Sequence, residues 1–301
     1  MHSDFNGFLD NINFYKISFK VSIVKQRVIT AILFGIVFVG AMFLMNTIAF
    51  PAFVSILSCI AVWEIEKATA LSNKLIIISS IVFSAVVPFL IHFGVNVPIA
   101  AVGGLYVIFN LILMLVRFEE TRFEQAVIAI FSSVCVPYSF SLMIVFRDIH
   151  KHFDGFTRVE GIFMLIFVFF ASWMTDIFAY FVGSKLGKHK LCPKISPKKT
   201  VEGLIGGILG AVLLSVLLLF VFKKFFFQAD SEFTYLEIAL FAAILSGISV
   251  FGDLAASTIK RNFGVKDFGN LLPGHGGIMD RFDSALFVMP VAYAVISLFN
   301  K

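Results

Sequence analysis

The sequence predicts an all-α fold, a polytopic transmembrane bundle of about nine helices. Hydrophobic residues make up 59% of the 301 positions and charged residues 14%, with a mean hydropathy of +0.96, which excludes an ordinary soluble domain. Nine stretches are each close to the roughly 20 apolar residues that cross a bilayer. They lie at residues 28–46, 48–63, 74–92, 97–116, 125–146, 161–183, 203–222, 236–252 and 284–299. A single stretch of this kind could be a buried core helix, but nine in one chain favour a membrane protein.

The chain divides into three predicted parts. Residues 1–27 form an N-terminal interfacial segment, because apolar residues recur there with helical spacing, and we expect no secretory signal. Residues 28–160 form the N-terminal transmembrane helices, and residues 161–301 form a catalytic transmembrane region with two motif loops. The second apolar stretch is the weakest candidate span, because it is short and Pro51 lies near its start.

The lysine and arginine residues predict the orientation in the membrane. With nine spans, 18 of the 24 fall on the side that holds the N-terminus and the two motif loops. We therefore expect the N-terminus and both loops in the cytoplasm, and Lys301 across the membrane. When the basic residues of the two loops are left out, eight Lys and Arg residues remain on the predicted cytoplasmic side and six on the other, which favours the same orientation.

The first motif loop follows a helix that carries an acidic residue. Asp176 lies near the cytoplasmic end of the sixth stretch and shares one helical face with Tyr180 and Gly183. A carboxylate within an apolar helix costs roughly 2.5 kcal/mol or more at mid-bilayer. Two interpretations are open: an interfacial aspartate paired with a nearby lysine, or a polar notch that contacts a substrate or a metal.

This loop also holds the densest group of cations in the chain. The group consists of Lys185, Lys188, His189, Lys190, Lys194, Lys198 and Lys199. Thr200 or a neighbour can cap the next helix, whose free N–H groups form an anion site. Lys198, Lys199 and Thr200 are therefore candidates for binding phosphate. The alternative is that the basic loop is only a topology signal or a contact for anionic lipid.

The second motif loop, residues 252–284, is strongly polar in an otherwise apolar sequence. It contains Asp253, Ser257, Lys260, Arg261, Lys266, Asp267, His275, Asp280, Arg281 and Asp283, with glycines between them. Hydrocarbon cannot solvate these groups, so they must face water, ions or one another. Clustered carboxylates, fixed cations and a glycine-rich turn are what a metal-assisted site for a phosphorylated substrate requires.

Spacing predicts which of these side chains meet. Four lie at i, i+4, i+7 and i+8 along a helix that continues the eighth stretch: Asp253, Ser257, Lys260 and Arg261. A glycine-rich turn then leads to Asp280 and Asp283, whose i, i+3 spacing lets both face one cation. Asp283 could instead be an N-terminal carboxylate favoured by the helix dipole. His275 alone is more often structural than catalytic.

The second motif loop carries one uninterrupted pattern. The run from Ser257 to Asp283, STIKRNFGVKDFGNLLPGHGGIMDRFD, resembles the signature of the phosphatidate cytidylyltransferases, also called CDP-diacylglycerol synthases. The stretch from Trp173 through SPKKTVEG to Gly207 is similar to a second block of that family. The resemblance implies a multi-pass enzyme of the inner (cytoplasmic) membrane. Such an enzyme faces the cytoplasm and makes CDP-diacylglycerol and pyrophosphate from CTP and phosphatidic acid.

The resemblance and the spacing together give the polar residues expected roles. The expected catalytic residues are Asp253, Ser257, Lys260, Arg261, Asp280 and Asp283. The expected substrate-binding residues are Asp176, Lys198, Lys199, Thr200, Lys266, Asp267, His275, Gly276, Gly277 and Arg281. The expected cofactor is Mg²⁺, with a second cation as an open alternative. Its expected ligands are Asp253, Asp280 and Asp283, with Asp253 and Asp280 as the principal ones and Asp283 beside them as a ligand or a supporting residue. Membrane lipids and a homodimer are the further partners implied, and we expect no nucleic acid.

Two other functions remain as alternatives. A related CTP-dependent transferase would act on another lipid phosphate, such as a polyprenol phosphate or an isoprenoid-ether lipid. A transporter would use the intramembrane Asp176. Against transport, the charged residues gather in two loops on one side rather than at the midplane of broken helices. Mg²⁺-dependent formation of pyrophosphate and a CDP-lipid would separate an enzyme from a transporter.

Overall fold

Long helices make up most of the described chain. The computed structural model describes residues 35–95, 99–227 and 233–299, together with positions 26, 29, 30, 32 and 33. The predicted interfacial segment, residues 1–27, lies outside the described residues except for position 26. The first predicted span, 28–46, is described in part, and its residues 35–43 are helical.

Helices follow one another along the described chain after this first segment. They are α1 (Ala49–Ala68), α2 (Lys74–His92), α3 (Ile99–Val116), α4 (Phe123–Arg147), α5 (Arg158–Leu186), α6 (Val201–Phe225), α7 (Tyr235–Asn262), α8 (Met279–Phe282) and α9 (Ala285–Phe299). A 3₁₀ turn, Ile149–Lys151, follows α4, and two strands, β1 (Lys190–Cys192) and β2 (Ser196–Thr200), lie between α5 and α6.

The helices confirm the predicted all-α membrane bundle. Within the described ranges, seven segments are long and apolar enough to cross a membrane, with α8 and α9 counted together as Met279–Leu298. A shorter apolar helix, Ala101–Val116, lies within α3. Together with the first predicted span, these segments agree with about nine spans.

The second predicted span is a full helix despite its proline. Pro51 is the third residue of α1 and lies in the first turn, where backbone N–H groups have no partner within the helix. The proline therefore removes no helical hydrogen bond, and α1 extends over 20 residues. The weakest candidate of the sequence analysis is thus an ordinary spanning helix.

Glycines allow α5 and α6 to pack closely. A Cβ atom on Gly203 would lie 2.8 Å from the carbonyl oxygen of Ala179, and one on Gly207 would lie 2.8 Å from that of Thr175. Side chains cannot occupy positions this close to a neighbouring backbone, so only glycine permits the contact. The close packing holds the end of α5, which carries Asp176, against the start of α6.

Pairs of hydroxyl groups join α5 to α7. Ser172 Oγ lies 2.7 Å from Ser249 Oγ, and the Thr175 hydroxyl donates to Ser246 Oγ at 2.8 Å. All four side chains are buried, so each hydroxyl needs a partner within the protein. The pairs fix the relative position of the two helices within a turn of Asp176.

The first motif loop folds into an antiparallel hairpin of β1 and β2, with Lys190 opposite Thr200. The all-α prediction includes no strand, so this hairpin corrects it locally. The hairpin is held to the first turn of α6 by Glu202, which accepts the backbone N–H of Lys188 at 3.0 Å. A carboxylate oxygen of Glu202 also lies 2.6 Å from His189 Nδ1.

Contacts between distant parts of the chain bring both motif loops to the same end of the bundle. Lys199 of β2 pairs with Asp253 of α7 at 2.6 Å. The Glu64 carboxylate, near the end of α1, accepts the backbone N–H of Met279 at 2.9 Å. The hairpin, the end of α7 and the start of α8 therefore surround one site.

Candidate active site

The polar face of α7 is built as its spacing predicts. The helix continues past Gly252 to Asn262, so Asp253, Ser257 and Lys260 follow one another along one face. The Ser257 hydroxyl donates to Asp253 Oδ1 at 3.3 Å. A carboxylate, a hydroxyl and an ammonium group are thereby aligned where α7 reaches the motif loops.

Lys260 lies at the centre of a buried ion network. Its Nζ lies 2.8 Å from Asp280 Oδ1 and 3.6 Å from Asp283 Oδ2. The side chains of Lys260 and Asp280 are 9% and 2% exposed, and the Phe268 ring covers the ammonium group at 5.1 Å. A charge so far from water is tolerated only when it is paired. The network therefore fixes this lysine between two carboxylates.

The second oxygen of Asp280 is held by the backbone of the glycine-rich turn. Asp280 Oδ2 accepts the N–H groups of Phe268 at 2.8 Å, Gly277 at 3.0 Å and Gly269 at 3.4 Å. Gly276 permits this approach, because its φ is +83° and a Cβ atom there would lie 2.8 Å from the same oxygen. Gly276 and Gly277, predicted to bind substrate, thus lie against Asp280.

The hairpin brings one cation to the end of α7. Lys199 Nζ lies 2.6 Å from Asp253 Oδ2, whereas Lys198 is exposed. The Thr200 hydroxyl is buried and accepts the N–H of Gly203 at 3.1 Å, so it caps α6 as predicted. Among the three predicted phosphate ligands, Lys199 is the one that the structure pairs with a site carboxylate.

A cavity of about 500 Å³, here called the membrane cavity, extends from the charged groups into the bundle. Its charged lining consists of Asp176, Asp280, Arg281 and Asp283, and Asp176 is exposed. Its apolar lining includes Val168, Phe169, Trp173, Ile177, Val288 and Met289. Along α5, Val168 lies about two helical turns from Asp176. The lining therefore changes from charged to apolar with increasing depth in the bundle.

A second cavity of about 560 Å³, here called the loop cavity, lies among residues 266–281. Its lining consists of Lys266, Asp267, Gly269, Asn270, Leu272, Pro273, Gly274, His275, Gly276 and Arg281. Leu272, His275 and Arg281 line both cavities. The predicted substrate-binding residues of the second motif loop, except Gly277, therefore surround two adjacent spaces, and Arg281 borders both.

Three carboxylates converge near the membrane cavity. Asp176, Asp253 and Asp283 lie close enough for their charges to repel one another, and Lys199 and Lys260 offset part of that charge. In the described part of the chain, no group of three or more His, Cys, Asp or Glu side chains is arranged to hold a metal ion alone. Mg²⁺ needs only one or two carboxylates and completes its shell with water and phosphate oxygens. The donor set therefore fits Mg²⁺ bound together with a phosphorylated substrate.

Asp280 is the least suited of the three predicted magnesium ligands. Both of its oxygens accept hydrogen bonds, and its side chain is almost fully buried. The side chains of Asp253 and Asp283 are 29% and 11% exposed, against 2% for Asp280, although Asp280 and Asp283 both line the membrane cavity. The geometry favours Asp253 and Asp283 as the residues that could take a metal, with Asp280 ordering the turn beside them.

Arg261 has no contact with this cluster. Its side chain is exposed, and its guanidinium group donates to the carbonyl oxygen of Val265 at 3.1 Å, in the turn after α7. Successive residues on a helix are rotated by about 100°, so Arg261 does not share the face of Lys260. Its catalytic role remains a prediction that no described contact supports.

Several residues of the site were not found from the sequence. Glu64 contacts the start of α8, Phe268 covers Lys260, and Ser172 lines the membrane cavity. Glu64 carried a usable signal, because an acid within an apolar helix is costly unless it has a role. Phe268 and Ser172 carried none, since phenylalanine and serine are common throughout this chain.

Comparison with known proteins gives a consistent result. The profile of the Cytidylyltransferase family matches residues 25–299. The phosphatidate cytidylyltransferase of Bacillus subtilis (strain 168) is 32% identical over 281 residues, covering 92% of this chain and 98% of the relative. That of Staphylococcus aureus (strain COL) is 35% identical over 272 residues, covering 89% and 96%. That of Staphylococcus haemolyticus (strain JCSC1435) is 38% identical over 135 residues, covering 45% and 49%.

Proposed function

The chain belongs to the cytidylyltransferase family, and we propose that it transfers CMP from CTP to phosphatidic acid as an integral membrane enzyme. The products are CDP-diacylglycerol and pyrophosphate. Two relatives that match over nearly their whole length are named phosphatidate cytidylyltransferase. The observation that carries the proposal is the membrane cavity, because it joins charged groups to apolar walls in one space.

Phosphatidic acid occupies the membrane cavity in this proposal. A lipid phosphate must place its headgroup among cations while its acyl chains stay in apolar surroundings. Arg281 supplies the cation, and the walls formed by Val168, Phe169 and Met289 suit the upper part of an acyl chain. Asp176 and Asp283 lie beside the same headgroup position, which is unfavourable for a phosphate unless a further cation is bound between them.

CTP occupies the loop cavity in this proposal. That cavity is lined mostly by polar residues and glycines of the second motif loop, with Lys266 and Arg281 as cations. The triphosphate would extend towards Arg281, the charged residue that borders both cavities. This arrangement brings the α-phosphate of CTP next to the phosphate of the lipid.

The reaction needs charge neutralisation more than covalent help. A phosphate oxygen of phosphatidic acid forms a bond to the α-phosphorus of CTP, and the bond from that phosphorus to the bridging β-phosphate oxygen breaks, releasing pyrophosphate. Both reactants are anions, so cations positioned at the transferring group lower the barrier. Arg281 lines both cavities and can supply that charge directly. Lys199 and Lys260 lie behind it, paired with site carboxylates, and the two cavities hold the reactants in contact.

We propose Mg²⁺ as the cofactor, with Asp253 and Asp283 as the residues that would hold it. Asp176 is close enough to both carboxylates to interact with their charges and would take part if a second cation binds. When bound, Mg²⁺ offsets the negative charge of the CTP phosphates. Lys199, which lies 2.6 Å from Asp253, would then be released towards a phosphate.

We also propose that the site faces the cytoplasm, where CTP is dissolved. Single cysteines at Ser196, Asn270 and Asn300, in a background without the three native cysteines, can be tested with an impermeant thiol reagent. In intact cells the first two should be protected and the last labelled. Labelling of a cysteine at position 196 or 270 from outside would mean that the protein has the opposite orientation. Protection of Asn300 alone would change the number of spans.

A comparison of acceptors tests the proposed function. Purified protein in detergent receives CTP and Mg²⁺ with phosphatidic acid, a polyprenyl phosphate or an isoprenoid-ether lipid phosphate. We expect pyrophosphate and a CDP-lipid with phosphatidic acid, at a rate well above that with the other acceptors. Preference for another lipid phosphate would support the related transferase instead. No acceptor-dependent pyrophosphate from folded protein would remove the enzymatic proposal.

A further inference from the structure

Glu64 lies in α1, far in sequence from both motif loops, yet it contacts the second motif loop directly. Its side chain is 1% exposed. One carboxylate oxygen, Oε2, accepts the backbone N–H of Met279 at 2.9 Å, at the start of α8. The N-terminal half of the chain therefore contributes a buried carboxyl group to the packing of the second motif loop.

Two glycines of the turn lie against the Glu64 carboxylate. A Cβ atom on Gly269 would lie 2.3 Å from Glu64 Oε1, and one on Gly277 would lie 2.2 Å from Oε2. Neither glycine has a positive φ, so backbone conformation does not require glycine at these positions. The contact with Glu64 explains the glycines instead, because any side chain at these positions would displace the carboxylate or the turn.

The same two glycines also hold Asp280. Gly269 and Gly277 donate their N–H groups to Asp280 Oδ2, while Asp280 Oδ1 pairs with Lys260. The turn is therefore held on one side by Glu64 and on the other by Asp280. A shift of the turn towards or away from α1 would move Asp280, and Lys260 with it.

We propose that Glu64 is a positioning residue for the transfer reaction. It fixes the turn 268–279 against α1 and thereby sets the position of Asp280 and Lys260 at the substrate site. This inference rests on the proposed function, because Asp280 and Lys260 border the site at which the phosphates would react. Glu64 itself lines neither cavity and is not expected to touch substrate.

Glu66 provides a matched control on the same helix. It is also 1% exposed, and its carboxylate faces Ser80 of α2 and Tyr106 of α3 rather than the second motif loop. A general effect of removing a buried acid from α1 would appear with both residues. An effect through the turn would appear with Glu64 alone.

Kinetic constants and thermal stability of four variants test the proposal: Glu64→Ala, Glu64→Gln, Glu66→Gln and Glu66→Ala. Misplacement of reacting groups by about 1 Å can cost about a hundredfold in rate. We therefore expect Glu64→Ala to lower kcat by at least roughly tenfold, with a smaller change in KM for CTP. Glu64→Gln keeps an oxygen for the Met279 N–H and should recover most of that loss, whereas both Glu66 variants should stay near wild type. Wild-type kcat in Glu64→Ala, or a loss no larger than in Glu66→Ala, would overturn the proposal.

A double-mutant cycle with Gly269→Ala examines the contact itself. In wild-type protein the new methyl group collides with Glu64, so the carboxylate or the turn must move and kcat should fall. In the Glu64→Ala background the collision is absent, and Gly269→Ala should have a much smaller further effect. Equal effects of Gly269→Ala in both backgrounds would contradict the contact.

Hydrogen exchange separates this inference from the proposed function. Amides of residues 268–280 should exchange faster in Glu64→Ala than in wild type, and at the wild-type rate in Glu66→Gln. This measurement requires no substrate, so it decides the positioning role even if no CMP transfer is found. Unchanged exchange in Glu64→Ala would overturn the positioning role, and an inactive wild-type protein would overturn the proposed function alone.

Discussion

Replacing Asp280 by asparagine separates a structural carboxylate from one that acts on substrate. Asparagine keeps the size of the side chain but removes its charge, which leaves the buried Lys260 with Asp283 at 3.6 Å as its remaining described partner. Its amide also places N–H donors against either the ammonium group or the backbone N–H groups of the turn. Removing one partner of a buried ion pair costs roughly 3–5 kcal/mol. That cost equals a change of about a hundredfold to a few thousandfold in an equilibrium constant.

Asp253→Asn is the matched control for this change. The side chains of Asp253 and Lys199 are 29% and 22% exposed. Loss of this ion pair should therefore cost no more than about 1 kcal/mol of stability. We expect both variants to lose CMP transfer, but Asp280→Asn to have the clearly lower melting temperature in detergent. Activity is measured as pyrophosphate release at saturating CTP and phosphatidic acid. The melting temperature is measured on the same preparation. Equal melting temperatures for Asp280→Asn and Asp253→Asn would refute the assignment of Asp280 to the turn.

Three further predictions follow from the same geometry. Lys199→Ala should lower kcat, because this ammonium group lies at Asp253. Lys198→Ala, on the exposed side of the hairpin, should leave kcat within about threefold of wild type. Unchanged kinetic constants in Lys199→Ala would make that lysine a topology signal only. Thr200→Ala should lower the free energy of unfolding by about 1 kcal/mol through loss of the α6 cap, and Thr200→Ser should keep the wild-type stability. An unchanged melting temperature of Thr200→Ala would contradict the cap. Chelation with EDTA should abolish CMP transfer and added Mg²⁺ should restore it, while activity that survives complete chelation would contradict a magnesium site.

The parts of the fold that depend on local pattern were predictable from the sequence. Apolar length alone located the spanning helices, because the bilayer thickness sets that length. Helical spacing placed Asp253, Ser257 and Lys260 on one face, and the structure confirms a continuous α7 through them. The Thr200 cap followed from the residue type just before an apolar helix.

The parts that depend on contacts between distant segments were not predictable. Nothing local shows that Glu64 meets Met279, since 215 residues separate them. The i+8 spacing placed Arg261 with Lys260, but a rotation of about 100° between neighbours turns it towards the Val265 carbonyl instead. The sequence favoured Asp280 over Asp283 as a principal magnesium ligand, and only the backbone of the turn shows that Asp280 is fully engaged. Orientation and magnesium binding stay predictions.

Tracing the phosphorus atoms of CTP tests the central claim most directly. The purified protein receives phosphatidic acid, Mg²⁺ and CTP labelled with ³²P at either the α or the γ position. The proposed reaction predicts that the α label appears in the lipid fraction and the γ label in pyrophosphate, and that Asp253→Asn yields neither. Appearance of the γ label in lipid would mean transfer of a terminal phosphate rather than CMP. That result, or an unlabelled lipid fraction from folded wild-type protein, would contradict the assignment of this site to CMP transfer.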